Sequence, residues 1–182
     1  VVPFEQGELG RGRLVVDERG IPDLDHMCFR WNRILPGDVR ILRARHVPEG
    51  FDARFSAMRR HYRYQVSDAP WGVDPLRRHD TLAWNRPLDV DMLNAASTEL
   101  LGLHDFAAFC KQRAGASTVR ELQRFEWERV GDHLVAAKVS ADAFCHSMVR
   151  SLVGAVLMVG DGRRGTDWPI HLLASAERTG SG

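Results

Sequence analysis

The chain has 182 residues, 44% of them hydrophobic, with 25 basic and 24 acidic side chains and a formal net charge of +1 at pH 7. That much apolar material excludes disorder over most of the length and allows one domain or two small halves. The three cysteines, Cys28, Cys110 and Cys145, form neither a C-x-x-C pair nor a zinc-finger spacing, which points to reduced intracellular thiols and away from a disulfide scaffold or a structural metal.

In chain order, residues 1–24 are rich in glycine and acids and read as a loop or insertion remnant. The first residue is valine, so the sequence reads as a fragment and is silent on N-terminal targeting. A helix is predicted from Asp25 to Leu35, stopped at Pro36-Gly37, and a strand from Val39 to Val47. A second strand spans Ala57 to Ser67. After a Pro/Gly-punctuated loop, Asp68 to Arg78, come a short strand near Thr81 to Trp84 and a helix from Val90 to Leu101, ended by Gly102. Strands from Arg120 to Val130 and from Leu134 to Ala141 join at Gly131-Asp132 as a hairpin. Helices from Ala143 to Val159 and from Trp168 to Ala176 complete an α+β fold, an antiparallel sheet with helices packed on one face.

The near-neutral total conceals a basic stretch. Between Arg30 and Arg63 lie nine arginines against three acids, Asp38, Glu49 and Asp52. Both tyrosines of the chain, Tyr62 and Tyr64, fall at the end of this stretch. At a strand period of two, Tyr62 and Tyr64 share a face with Met58 and Val66, while Arg59, His61 and Arg63 project from the other. Aromatic rings stack on bases and guanidinium groups hold phosphates, so this pairing points to RNA, with Arg59 and Arg63 as phosphate contacts. The alternative is a half-buried strand with a tyrosine core face and a solvated basic face.

Ala143 to Gly160 is apolar on nearly every side of a helix, with Arg150 as its single charge. On a helical wheel His146, Ser147, Arg150, Ser151 and Gly154 form one stripe. The stretch is flanked by Asp142 and Asp161 and would place an arginine in mid-span, which argues against a membrane crossing and for a core helix. A guanidinium inside a core demands an anion, either in a structural ion pair or as a carboxylate in an active site. Cys145 and His146 are neighbours, about 100° apart on a helix, and do not face each other as nucleophile and base; Cys145 is expected to pack as a small apolar residue.

Three ordered blocks, F-D-A-R-F-S-A…H-Y-R-Y (51–64), L-L-G-L-H-D-F-A-A-F (100–109) and A-F-C-H-S-M-V-R-S-L-V-G (143–154), preceded by Leu35-Pro-Gly-Asp-Val-Arg-Ile41, resemble the tRNA pseudouridine synthases of the TruA family. The resemblance runs from about Asp25 to Leu173. It implies two catalytic residues, Tyr62, which packs on the target uracil and can take the C5 proton late in the reaction, and Arg150, which pairs with the catalytic aspartate, and it places Arg54 near the cleft on the flipped nucleotide or its phosphate. It also implies that Phe106 and Phe109 of a D-F-x-x-F turn pack beneath the cleft, and that Thr118 and Arg120 mark a further basic point. The implied reaction isomerises uridine to pseudouridine at positions 38–40 of the anticodon stem-loop, with no cofactor or metal, in a cytoplasmic enzyme that is homodimeric at full length and not membrane-bound.

In the family, the nucleophilic aspartate lies in a G-R-T-D-A-G-x-H block that does not occur in this sequence. Gly165-Thr166-Asp167 follows the Arg150 segment and is out of order for that role. Residues 25–182 therefore read as the C-terminal half of a pseudouridine synthase, without the first half or the final strand, and are expected to be inert alone. The alternative is a non-catalytic RNA-binding module derived from the same fold.

Overall fold

The computed structural model describes residues 20, 22–111 and 115–175. The chain divides into two compact units, 1–57 and 58–182. In the first, helix α1 (Leu24–Ile34) is capped by Asp23, whose carboxylate accepts the His26 amide at 3.0 Å. Leu35 leaves the helical region, as a residue before proline must. Val39 to Val47, predicted as a strand, runs with no sheet partner among the described residues. The Asn32 side chain serves in place of one: its amide donates to the Ile41 carbonyl and its oxygen accepts the Ile41 N–H, both at 2.8 Å.

The second unit is built on a five-stranded sheet in the order β2-β1-β5-β4-β3, formed by β1 (Arg60–Ser67), β2 (Thr81–Ala83), β3 (Gly102–Asp105), β4 (Val119–Gly131) and β5 (Leu134–Ala141). The β4–β5 hairpin forms as predicted, but Gly131 still pairs with Leu134 and the turn is Asp132-His133, one position later than expected; β1 lies antiparallel to β5 with Tyr62 opposite Val139. The sheet is mixed, because β2 pairs parallel with Gln65–Ser67 of β1 after the long connection 68–80, which carries a short helical turn at Pro75–Arg77. Edge strand β3 was not predicted; its four residues, G-L-H-D, are too short and polar to show a period.

Helices α2 (Val90–Thr98), α3 (Met148–Gly160) and α4 (Trp168–Ser175) follow Asp89, Ser147 and Asp167 respectively. Asp89 caps α2 by accepting from the Asp91 and Met92 amides. α2 is pinned to β4 by the Asn94 side chain, which bonds both backbone groups of Trp127, and by the Trp127 indole donating to the buried Ser97 hydroxyl at 2.9 Å. α3 crosses α2 so closely at Gly160 that a Cβ there would sit 2.7 Å from Leu93 Cγ, which is why only glycine fits. The core gathers Val66, Leu93, Phe106, Phe125, Leu122, Val139, Met148 and Leu152, all at 2% exposure or less. Each such side chain contributes about 1.5–3 kcal/mol on burial, so this layer fixes the sheet end described next.

Candidate functional site

Tyr62, Tyr64 and Val66 share the helix-covered face of β1, as the period-two reading anticipated, but their surroundings change along the strand. Val66 is fully buried, Tyr64 packs against the core, and Tyr62 is 51% exposed. The Tyr62 ring is met edge-on by Phe144, centroids 5.2 Å apart and planes at 84°. About half of the Tyr62 side chain is left to solvent.

Phe144 belongs to the loop 142–147, where the sequence predicted the start of a helix. α3 begins only at Met148, because each loop residue is committed elsewhere. Asp142 accepts the Glu121 and Ala143 amides on one carboxylate oxygen, at 3.0 and 2.6 Å. Arg60 Nη1 donates to the Asp142 carbonyl at 3.0 Å. Cys145 is joined by a disulfide to Cys110, with Cα atoms 5.6 Å apart across a sequence separation of 35, and the Lys111 amide donates to the His146 carbonyl at 2.9 Å. Ser147 takes φ 67°, a left-handed conformation held by no other non-glycine residue among those described. Two expectations are corrected here. His146 and Ser147 do not continue the Arg150 stripe of α3, and Cys110 and Cys145, expected as separate thiols, are a bonded pair brought together by tertiary structure.

Arg150 itself was expected inside the core. It stands exposed in the first turn of α3, three residues after Ser147, and makes no ion pair or hydrogen bond with a described residue. α3 buries Met148, Leu152, Val153, Val156 and Val159, while Arg150 falls with Ser151, Gly154 and Met158 on its less buried stripe, so the charge escapes desolvation. Its guanidinium is open to a carboxylate or phosphate from solution.

The other predicted site residues lie elsewhere. Arg63 and His61 project from the uncovered sheet face, where His61 Nδ1 contacts Ser140 Oγ at 2.7 Å. That face alternates charge: Lys138 pairs with Glu128 at 2.7 Å and Arg124 with Glu126 at 2.6 Å. The Lys138 hydrogen bond, against a smaller desolvation cost and aided by the charges of Lys138, Arg63 and Arg124, lowers the Glu128 pKa. Arg59 is exposed just before β1. Arg54 lies in the other compact unit, at the tip of a turn that Asp52 closes by accepting the Arg54 and Phe55 amides, both at 2.7 Å, and its guanidinium stands 5.3 Å from the Phe55 ring centroid. The F-D-A-R-F-S block is thus a side-chain-capped turn that presents an arginine.

Arg120 turns back on its own strand, donating to the Val119 and Ser117 carbonyls. Asp105 holds the neighbouring turn, accepting from the Ala107 amide and the Thr118 hydroxyl, while Phe106 and Phe109 are buried beneath it as expected. The His, Cys, Asp and Glu residues described form no cluster of three placed to hold a metal ion. No described helix is long and apolar enough to cross a membrane.

At the opposite end of β1, Asp68 is buried and accepts from Arg129 Nη2 at 2.9 Å and from the Leu88 amide at 3.1 Å. Burial pulls its pKa upward, but the hydrogen bonds from Arg129 and Leu88 and the charges of Arg129 and His133 outweigh it and hold the carboxyl below its usual range. This pair is structural.

Sequence reasoning missed Asp142, Phe144 and the cysteine pair. The signal available for the first two was their position between a strand end and the Arg150 segment.

Fold and site together define an α+β domain with a half-exposed Tyr62 ring near the start of β1 and an exposed Arg150 in the first turn of α3. The family described as tRNA pseudouridine synthase matches residues 96–182. Over 160 residues the chain is 55% identical to the tRNA pseudouridine synthase A of Mycobacterium leprae (strain TN), covering 88% of this chain and 56% of the relative. It is 48% identical to the tRNA pseudouridine synthase A of Corynebacterium glutamicum, covering 90% and 58%, and 46% identical to that of Cutibacterium acnes, covering 97% and 64%. Along most of its length the chain is thus similar to tRNA pseudouridine synthases. It spans little more than half the length of these two curated relatives, from Mycobacterium leprae and Corynebacterium glutamicum.

Proposed function

We propose that this chain supplies the tyrosine- and arginine-bearing part of a tRNA pseudouridine synthase, an isomerase acting on uridines at positions 38–40 of the anticodon stem-loop. The observation that carries the reading is the half-exposed Tyr62 ring, set edge-on by Phe144 in the loop that leads into Arg150, which has no partner among the described residues. A uridine turned out of its stack has a π-face to lay on Tyr62. Arg150 offers a planar fork to the nucleophilic carboxylate, which no G-R-T-D-A-G-x-H block within residues 1–182 supplies.

The reaction breaks the bond from uracil N1 to the ribose and forms one from C5 to the same carbon. The C5 proton leaves and N1 gains one, so substrate and product are isomers and no electron acceptor is consumed. Arg54, Arg59, Arg63 and Arg120 are the further RNA contacts of this proposal. A homodimeric full-length protein in the cytoplasm completes it.

Deleting the gene in the cell of origin and mapping pseudouridine in its tRNAs tests the reading. Loss at positions 38–40, restored by the wild-type gene and not by Arg150→Ala, is expected. Pseudouridine persisting at those positions would overturn the proposal and leave a non-catalytic RNA-binding module.

A further inference from the structure

The disulfide joins the two segments that frame the candidate site. Cys110 is fully buried, follows the aromatic turn of Phe106 and Phe109, and precedes Lys111. Cys145 follows Phe144, the residue on Tyr62, and lies five positions before Arg150. We propose that Cys110 and Cys145 form a reversible redox site, and that its state sets the order of the loop 142–147 and with it the placement of Phe144 and Arg150. The proposal rests on the RNA reading above only where it concerns RNA affinity.

Three observations carry it. The Cα separation of 5.6 Å falls in the range a disulfide spans without moving backbone, so closing and opening the bond requires no rearrangement of the fold. Beyond its first residue the loop is held, apart from the disulfide, by non-covalent contacts alone: the Lys111–His146 and Met148–Cys145 backbone bonds, the Ser147–His146 side-chain bond, and Phe144 and Cys145 packed against the core. Ser147 holds a left-handed backbone, which non-glycine residues keep only where the surroundings constrain them, and its side chain makes no capping bond to α3. Removing the covalent tether two positions from such a residue leaves that conformation to the non-covalent contacts.

Oxidation removes two thiol protons and two electrons. A low-molecular-weight disulfide accepts the electrons, passing through a mixed disulfide on one cysteine and leaving as two thiols; a dithiol reverses the sequence. Cys28, in α1, takes no part and serves as an internal control.

The test equilibrates the 182-residue chain in glutathione buffers from fully reduced to fully oxidised, traps thiols by alkylation and locates them by peptide mass. Cys110 and Cys145 are expected to become protected together and to return together on reduction, with Cys28 alkylated wherever no mixed disulfide forms on it. Amide hydrogen exchange across residues 143–150 should slow at least tenfold in the oxidised form, and affinity for a uridine-containing anticodon stem-loop RNA should differ at least fivefold between the two forms. Cys145→Ala, and Cys110→Ala as a second variant should the first fold poorly, should remove both differences. Alkylation of both cysteines in every buffer, or oxidised and reduced chains with the same exchange over 143–150, would overturn the proposal. Protection and slowed exchange in a chain that binds no RNA in either form would uphold the redox site and count against the RNA reading instead.

Discussion

Tyr62→Ala separates the stacking role of this residue from its structural one. The ring is 51% exposed and touches one aromatic neighbour, so its truncation removes an edge-to-face contact of about 0.5–1.5 kcal/mol. For a domain of this size that lowers Tm by only about 2–4 °C per kcal/mol. A base stacked on the ring contributes about 1–3 kcal/mol, so affinity for an anticodon stem-loop RNA should fall by about 5- to 150-fold. Tyr62→Phe keeps the ring and should bind within about threefold of wild type, since stacking uses the π-face. Tyr64, on the same face but packed into the core, is the control: Tyr64→Ala should lower Tm more and per-molecule affinity less. Fluorescence anisotropy with a labelled stem-loop at fixed ionic strength reads the affinities, and thermal unfolding reads the fold. A folded Tyr62→Ala chain that binds as tightly as wild type would mean that no base stacks on this ring.

Asp68→Asn should cost about 2–3 kcal/mol in chemical denaturation, because it removes a charged acceptor from Arg129 and from the buried Leu88 amide. The Asp68 pKa is lowered by folding, so the stability it contributes is full above the ordinary aspartate pKa and lost as pH falls through the folded value; the variant's unfolding should be correspondingly less acid-sensitive than wild type. Gly160→Ala should destabilise by about 1–3 kcal/mol, since the added methyl meets Leu93 Cγ at 2.7 Å, and an unchanged denaturation midpoint would contradict the close crossing of α2 and α3. Replacing Arg59 and Arg63 together should reduce the slope of log affinity against log salt by up to about two; an unaltered slope would move the phosphate track off this part of the sheet.

What was legible in the sequence is what strict periodicity and turn chemistry dictate. β1 runs from Arg60 to Ser67 with the tyrosines on one face, a hairpin joins β4 to β5 directly after Gly131, and Phe106 and Phe109 pack as the D-F-x-x-F pattern implies. Arg150 is the exceptional charge of its segment, but it stands outside the core, because even an apolar helix leaves one stripe uncovered, here Arg150, Ser151, Gly154 and Met158. The helix start was misjudged for a related reason: Ala143 to Ser147 has no intrinsic stop, and it is Asp142, the Cys110 link and the Lys111 bond, all tertiary, that hold it out of α3. The cysteine pairing spans 35 positions and has no local signature. Val39 to Val47 has the pattern of a strand, and Asn32 supplies in its place the bonds that Ile41 would have made to a neighbour.

Whether the Tyr62 end of the sheet meets RNA is read by titrating an anticodon stem-loop RNA into the isotopically labelled chain and following backbone amide shifts. Perturbations should concentrate at Tyr62, Phe144 and the first turn of α3, with Asp68, Trp71 and His133 at the far end of β1 unmoved. Shifts confined to that far end, or none at saturating RNA, would contradict that contact.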